Sequence, residues 1–233
     1  MAPRLAVGAV FGPTPLALEF ERAGHIVRPV DAEADPGAIA QVDLVLLDAP
    51  ADQVRLAAGL LASHARPRQM FLHTVLEEGP QLLDDVETAQ AIVMCAHNVF
   101  ADVWVTSAAD ELGETVVGLL VAEVGGVSMR IDDTSRPVIA AAQELRALES
   151  VVRGDAFELL VQAVPDMEAV AAQFRDAPAG APRAATPAQL DVLADALPEP
   201  GVRRLLVDLE RRRGQQLGDT DTELWAMQKY EGG

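Results

Sequence analysis

Apolar residues fall along this chain in short runs separated by longer stretches with helical spacing. Leu5–Val10 is a compact apolar run of the length and continuity of a strand buried on both faces. From Pro13 to Ala23, Leu16, Ala17, Phe20 and Ala23 recur at helical spacing, and Gly24 supplies a stop. Ile26–Val30 reads as a second strand, and Pro29 within it predicts an edge position or an early end. After a polar stretch, Ala32–Gln41, the clearest buried strand is Val42–Leu47. Ala51–Ser63 predicts a helix, and Met70–His73, Ala91–Cys95 and Val103–Val105 predict short strands. Asp110–Val124 predicts a strong helix stopped by Gly125-Gly126, with a last strand at Val127–Ile131. Strands and helices alternating at this spacing predict βαβ units, hence an α/β fold with a mostly parallel sheet covered on both faces.

The pattern changes after Arg136-Pro137. Val138–Val164 predicts one long helix, Asp166–Asp176 a short one, and Ala177–Ala185 has linker composition. Thr186-Pro187 carries the cap and first-turn proline of a further helix, and Gly201–Arg213 and Thr220–Tyr230 predict two more. The organisation expected is a Rossmann-like domain at 1–133, a helical dimerisation domain at 134–178, and a linker with a helical tail at 179–233.

Charge narrows the function classes. The net charge of −18 disfavours nucleic acid and anionic membranes as partners. The densest basic group, Arg203-Arg204 with Arg211-Arg212-Arg213, is interrupted by Asp208 and Glu210 and reads as a solvated helix face with internal ion pairs. No apolar run approaches a membrane span, and the first residues carry no secretory pattern, so a cytoplasmic protein is expected. Lys229 is the one lysine, which leaves almost no place for a lysine base or Schiff base. Cys95, the single cysteine, lies in an apolar run and reads as a buried inert thiol rather than a nucleophile.

The first strand–turn–helix is where a dinucleotide phosphate should bind, because helix N-terminal N–H groups favour an anion and glycines let the backbone approach it. Here the segment is Val7-Gly8-Ala9-Val10-Phe11-Gly12-Pro13-Thr14. With Gly8 as the first glycine of G-x-G-x-x-G, the second and third positions fall on Val10 and Pro13, with Gly12 beside them, so the fingerprint is degraded. Gly8, Gly12 and Thr14 are the candidate phosphate contacts, against the alternative of a retained turn that binds nothing or only a smaller anion. Asp31, 23 residues after Gly8, stands where a carboxylate would accept from a ribose 2′-hydroxyl and repel a 2′-phosphate, which favours NAD over NADP. The alternative for Asp31 is an ordinary loop carboxylate.

Gly8 with Ala23-Gly24-His25, then Asp43–Asp52, then Phe71-Leu72-His73-Thr74, together resemble the Rossmann-like proteins of the 6-phosphogluconate dehydrogenase, prephenate dehydrogenase and ketopantoate reductase superfamily. Within it the match is similar to a mainly actinobacterial branch of oxidoreductase-like proteins with a helical C-terminal domain of unknown function. The resemblance spans roughly residues 4–165 and leaves the tail, 179–233, uncovered. It implies a nicotinamide cofactor over the strand ends and a helical domain that completes the site and dimerises. The chain departs from the family in its glycine loop and in the absence of the superfamily's catalytic lysine. Gln143–Glu149 stands where the first long C-terminal helix usually carries a His/Asn face. The stretch between Asp31 and Asp43 is too short for the usual extra helix and strand, so a trimmed sheet is expected.

His73 and His97 both follow predicted strands whose carboxyl ends face the ligand crevice, so they are the candidate catalytic pair, one as proton donor to a substrate carbonyl. The alternative is histidines merely hydrogen-bonded at the sheet edge. His25 reads as a surface residue, and His64 ends a helix. Two histidines 24 residues apart without a third ligand in register make no metal site. Arg146 and Arg153 share a helix face and are candidates to clamp a substrate carboxylate, or else pair with Glu149 or Asp155. Asp219–Glu223 reads as a helix cap with an acidic first turn rather than a metal loop, and Trp225, Met227 and Tyr230 as docking residues within the chain or on a partner. The expectation is an NAD(P)-binding oxidoreductase-like homodimer acting on a small carboxylate-bearing substrate. The competing expectation is a non-catalytic Rossmann-like binding or dimerisation module.

Overall fold

The computed structural model describes residues 4–176 and 185–231. The predicted linker therefore lies outside the described residues except for Ala185, as does the side chain of Tyr230. The chain divides into two compact units, 1–147 and 148–233.

In the first unit, β1 (Ala6–Ala9) turns into α1 (Pro15–Arg22), and β2 (Ile26–Pro29) follows. Gly24 takes φ +101°, the left-handed conformation that ends α1. A 3-10 turn (Pro36–Gln41) leads to β3 (Leu44–Leu47), α2 (Ala51–Leu61) and β4 (Met70–His73). A second 3-10 turn (Pro80–Leu83) runs into the single turn α3 (Asp84–Glu87). Then β5 (Ile92–Phe100) and β6 (Val103–Ala108) form a hairpin, followed by α4 (Glu111–Glu123), β7 (Val127–Arg130) and α5 (Arg136–Ala163).

The seven strands lie in the order β2-β1-β3-β4-β5-β6-β7. All neighbours are parallel except β5 and β6. A complete dinucleotide-binding sheet runs 3-2-1-4-5-6. Here one strand on the β2 side is missing, and the 3-10 turn Pro36–Gln41 replaces it, as the short Asp31–Asp43 stretch predicts. The strand order reverses between β1 and β3, where such sheets open their ligand crevice.

The run Leu44–Leu47 shows why these residues form a central strand. Leu44 and Leu46 pack with Phe20, Val117 and Leu120 of the α1 and α4 layer. Val45 and Leu47 pack with Val54, Ala58 and Leu61 of α2 on the other face. All four are buried, so a period-2 alternation of hydrophobicity is absent and the run is continuous.

In the second unit, a 3-10 turn (Met167–Val170) and α6 (Ala171–Asp176) follow α5. Next come α7 (Pro187–Asp195), α8 (Pro200–Leu217) and α9 (Thr220–Glu231). Thr186 caps α7 in a reciprocal box with Gln189, and Asp219 Oδ1 accepts the Thr222 N–H at 3.2 Å at the start of α9. Leu190, Ala194, Val207, Trp225 and Ala226 form a small core of their own. Trp225 is thus a core residue of the tail, its Nε1–H donating to Asp191 at 2.9 Å. Lys229 pairs with the same carboxylate at 2.7 Å. The basic run is internally bonded in part, with Arg213 donating to Glu210 at 2.7 Å and Arg203 to the Leu197 carbonyl. Among the described residues no helix is long and apolar enough to cross a membrane.

Candidate active-site crevice

Two grooves open at the carboxyl ends of the first strands. One, of about 680 Å³, is lined by Phe11 and Gly12, by Val30, Asp31 and Glu33 after β2, and by Leu56 and Leu60 of α2. The other, of about 480 Å³, is lined by Pro15, Leu16 and Glu19 of α1, by Asp48 and Thr74 beyond β3 and β4, and by His97, Asp102 and Trp104 of the hairpin. One turn serves both grooves: Phe11 and Gly12 face the first, Pro15 and Leu16 the second.

The turn differs from the predicted fingerprint in register. Gly8 lies inside β1, and a Cβ there would stand 2.9 Å from Val30 Cγ2 and 3.0 Å from Val42 Cγ2. Its hydrogen atom is required by packing, and the assignment of Gly8 to phosphate binding is corrected accordingly. Gly12 is the turn glycine, with φ +83° and open space where a Cβ would point. Thr14 caps α1, its Oγ1 accepting the Ala17 N–H at 3.4 Å, and Pro15 takes the first helical position. Pro13 and Pro15 remove two N–H donors from the segment that would cradle a phosphate. Asp31 lies in the first groove as expected. Its Oδ1 accepts the N–H groups of Glu33 and Ala34 at 3.0 and 2.9 Å, which leaves Oδ2 without a hydrogen-bond partner among the described residues.

The histidine pair separates. His73 is wholly buried, with Nδ1 accepting the Val75 N–H at 3.2 Å and Nε2 donating to the Gly79 carbonyl at 3.0 Å. Burial lowers its pKa to about 4, and the repulsion of the nearby Arg136 guanidinium adds to the effect. Both nitrogens are consumed by backbone, so His73 fixes the loop after β4 and is withdrawn from the catalytic pair. His97 does line the crevice. Its Nδ1 meets the Thr74 carbonyl at 2.7 Å and its Nε2 meets Gln143 Oε1 at 3.1 Å. Thr74 Oγ1 donates to Asp48 Oδ1 at 2.6 Å, so Asp48, Thr74, His97 and Gln143 form one chain of contacts.

Arg146 does not line the crevice. Its Nη1 donates to the Val99 carbonyl at 3.1 Å and its guanidinium stacks 5.5 Å from the Phe100 ring centre, tying α5 to the end of β5. Arg153 pairs with Glu149, the blander of its two readings. His25 is not a surface residue: it is buried, its Nδ1 accepts the Leu5 N–H, and its Nε2 lies 2.9 Å from Glu123.

Sequence reasoning missed Asp48, Gln143 and Arg136. The last is buried and donates to Asp133, the Leu76 carbonyl, Cys95 Sγ and Ser107 Oγ, joining the start of α5 to β5, β6 and the loop after β4. Burial opposes its charge, but Asp133 and the Cys95 sulfur outweigh that and raise its pKa. Cys95 is buried as predicted, though as a hydrogen-bonded sulfur rather than an apolar filler. Among the described residues no group of three metal-ligating side chains converges.

Residues 132–229 match the family model described as 6-phosphogluconate dehydrogenase C-terminal domain-like. The match includes residues 179–229 of the tail that the sequence resemblance left uncovered. The chain is similar in structure to Mycobacterium tuberculosis 3-hydroxyisobutyrate dehydrogenase with L-serine, at 14% identity and a TM-score of 0.53, covering 97% of this chain and 94% of that one. It is also similar to Plasmodium falciparum pyrroline carboxylate reductase with NADP bound, at 10% identity and a TM-score of 0.55, covering 96% of each. At such identities the likeness is one of fold. A sequence search of curated proteins finds no match.

Proposed function

We propose, from the premise that this chain belongs by fold to the Rossmann-like 6-phosphogluconate dehydrogenase superfamily, that it is an oxidoreductase binding a nicotinamide dinucleotide along the carboxyl edge of its sheet. The observation that carries this is the pair of grooves sharing one turn at the strand-order reversal. That is the place, and a two-lobed space, that a dinucleotide takes in such sheets. The residues fit the group at its adenosine end: Leu56 and Leu60 offer apolar area to a base and Asp31 Oδ2 an acceptor to a ribose hydroxyl. Asp31 and Glu33 together disfavour a 2′-phosphate, so NAD is the cofactor of this reading. The cofactor, when bound, supplies hydride transfer. In the second groove a substrate oxygen or nitrogen would take the His97 Nε2–H by displacing Gln143 Oε1 from it, with Thr74 and Asp48 beside the ring.

The substrate reading changes with Arg146. Among the described residues Glu19, Asp48 and Asp102 line the crevice and no arginine or lysine does, so recognition of a carboxylate there has no support in unit 1. A small neutral or cationic polar substrate fits this lining better. A homodimer belongs to the same proposal. It is supported by α5, which leaves Val138 and Val152 71 and 36% exposed. Light scattering showing only monomer at micromolar concentration removes it.

A second reading, a Rossmann-like module that binds no dinucleotide, is favoured by one observation, the loss of two N–H donors at Pro13 and Pro15. Calorimetric titration with NADH and NADPH in parallel decides between them. Micromolar binding of either supports the oxidoreductase, and no binding at millimolar concentration sinks it in favour of the module.

A further inference from the structure

The geometry points to Gln143 as the positioning residue that holds His97 as a donor at both ring nitrogens. Gln143 lies in the first turns of α5, half-buried against the hairpin. Its Nε2 stands 3.2 Å from the Asn98 carbonyl and 3.3 Å from the Val99 carbonyl. Carbonyl oxygens only accept, so these two fix the amide with its NH₂ toward β5 and its Oε1 toward His97 Nε2. On the opposite side of the ring, Nδ1 meets another carbonyl, that of Thr74, at 2.7 Å. Each ring nitrogen thus faces an oxygen that cannot donate. A ring with one N–H would set a lone pair against one of these oxygens, whereas a ring with two N–H groups satisfies both.

The charged groups around the ring come from several elements. Glu19 of α1, Asp48 beyond β3 and Asp102 of the hairpin line the same crevice. Arg146 of α5 is committed to the Val99 carbonyl and the Phe100 ring. Gln143 supplies the acceptor at Nε2, and the Thr74 carbonyl the one at Nδ1. As a proton source for a substrate, His97 rests on the oxidoreductase reading above. Its hydrogen-bonded state does not.

The test is a ¹⁵N–¹H correlation of the histidine rings in the full chain at neutral pH, with the His97 signals assigned by loss in His97→Gln. The wild type is expected to show both His97 nitrogens protonated. Gln143→Leu and Gln143→Met, which remove the acceptor, are expected to leave one proton, on Nδ1, and a bare Nε2. Gln143→Glu, which keeps an acceptor at the same reach, is expected to retain two. A bare ring nitrogen in the wild type overturns the proposal even if the variants fail to fold, and so does a Leu variant that folds and keeps both protons. NADH titration of the same samples reads the oxidoreductase proposal separately. Absence of binding with two protons on His97 leaves the positioning role standing, and binding with a bare nitrogen removes that role alone.

Discussion

The Nε2–H of His73 donates to the Gly79 carbonyl across 3.0 Å, six residues along the chain, and closes the loop that follows β4. His73 stays inside the sheet ladder, in register with Cys95. His97 stands two residues farther along β5, beyond the end of β4. Two histidines that look equivalent in the sequence therefore occupy different environments, one dry and one open to a crevice.

The dry position makes folding pH-dependent. His73 titrates at about 4 in the folded chain against 6.5 for an ordinary histidine. Between these values the unfolded chain holds the extra proton, so stability is fully present above about pH 6.5 and falls as pH drops toward 4. The loss is on the order of 3 kcal/mol at the acid end. Urea unfolding of wild type and His73→Gln from pH 7.5 to 4.5 checks this. The variant should be less stable at neutral pH, and its stability should fall less steeply through that window. Parallel profiles would show that His73 does not carry the effect.

Gly8→Ala should destabilise the fold by about 1–3 kcal/mol through overpacking. The new Cβ meets Val30 and Val42 at 2.9 and 3.0 Å, and both belong to the buried core. Because the clash is with side chains, Val42→Ala should recover part of the loss, a coupling that a double-mutant cycle in urea measures. Dinucleotide affinity per folded molecule should stay unchanged. A selective loss of affinity in a fully folded Gly8→Ala would return this glycine to the phosphate site.

Asp31→Asn keeps an oxygen to hold the Glu33 and Ala34 N–H groups and removes the charge. On the dinucleotide reading, the ratio of NADH to NADPH affinity should fall by roughly tenfold, the scale of one charge interaction at a partly exposed site. Asp31→Ala should additionally loosen the loop. An unchanged ratio in Asp31→Asn would mean that this carboxylate does not face the ribose.

The legible parts of this chain were those set by local periodicity. The βα alternation, the edge strand marked by Pro29, the Gly24 and Gly125 stops and the trimmed sheet all follow from spacing along the sequence. The antiparallel hairpin was missed because β5 and β6 read as separate short strands of a mostly parallel sheet, and only the tight Ala101-Asp102 turn, with Ala101 at φ +46°, joins them. Asp48, Thr74 and Gln143 meet around His97 from positions 23 to 49 residues away from it along the chain, a convergence that tertiary packing alone creates. Arg136 carried one signal, an arginine immediately before the proline that opens a long helix, but nothing local foretold its burial against Cys95 and Ser107.

Trp225 gives the tail a test of its own. It is 5% exposed within a core of five buried residues, so its indole holds a large share of the apolar contact between α7, α8 and α9. Trp225→Ala should cost about 3–5 kcal/mol, the range for deleting a buried aromatic side chain. With so small a core, that loss is comparable to what a cluster of this size supplies. Helical circular dichroism should therefore fall in Trp225→Ala. Trp225→Phe, which keeps the ring in the core and loses only the N–H to Asp191, should retain most of the signal. Equal behaviour of the two variants would mean that the hydrogen bond to Asp191, rather than burial, orders these helices.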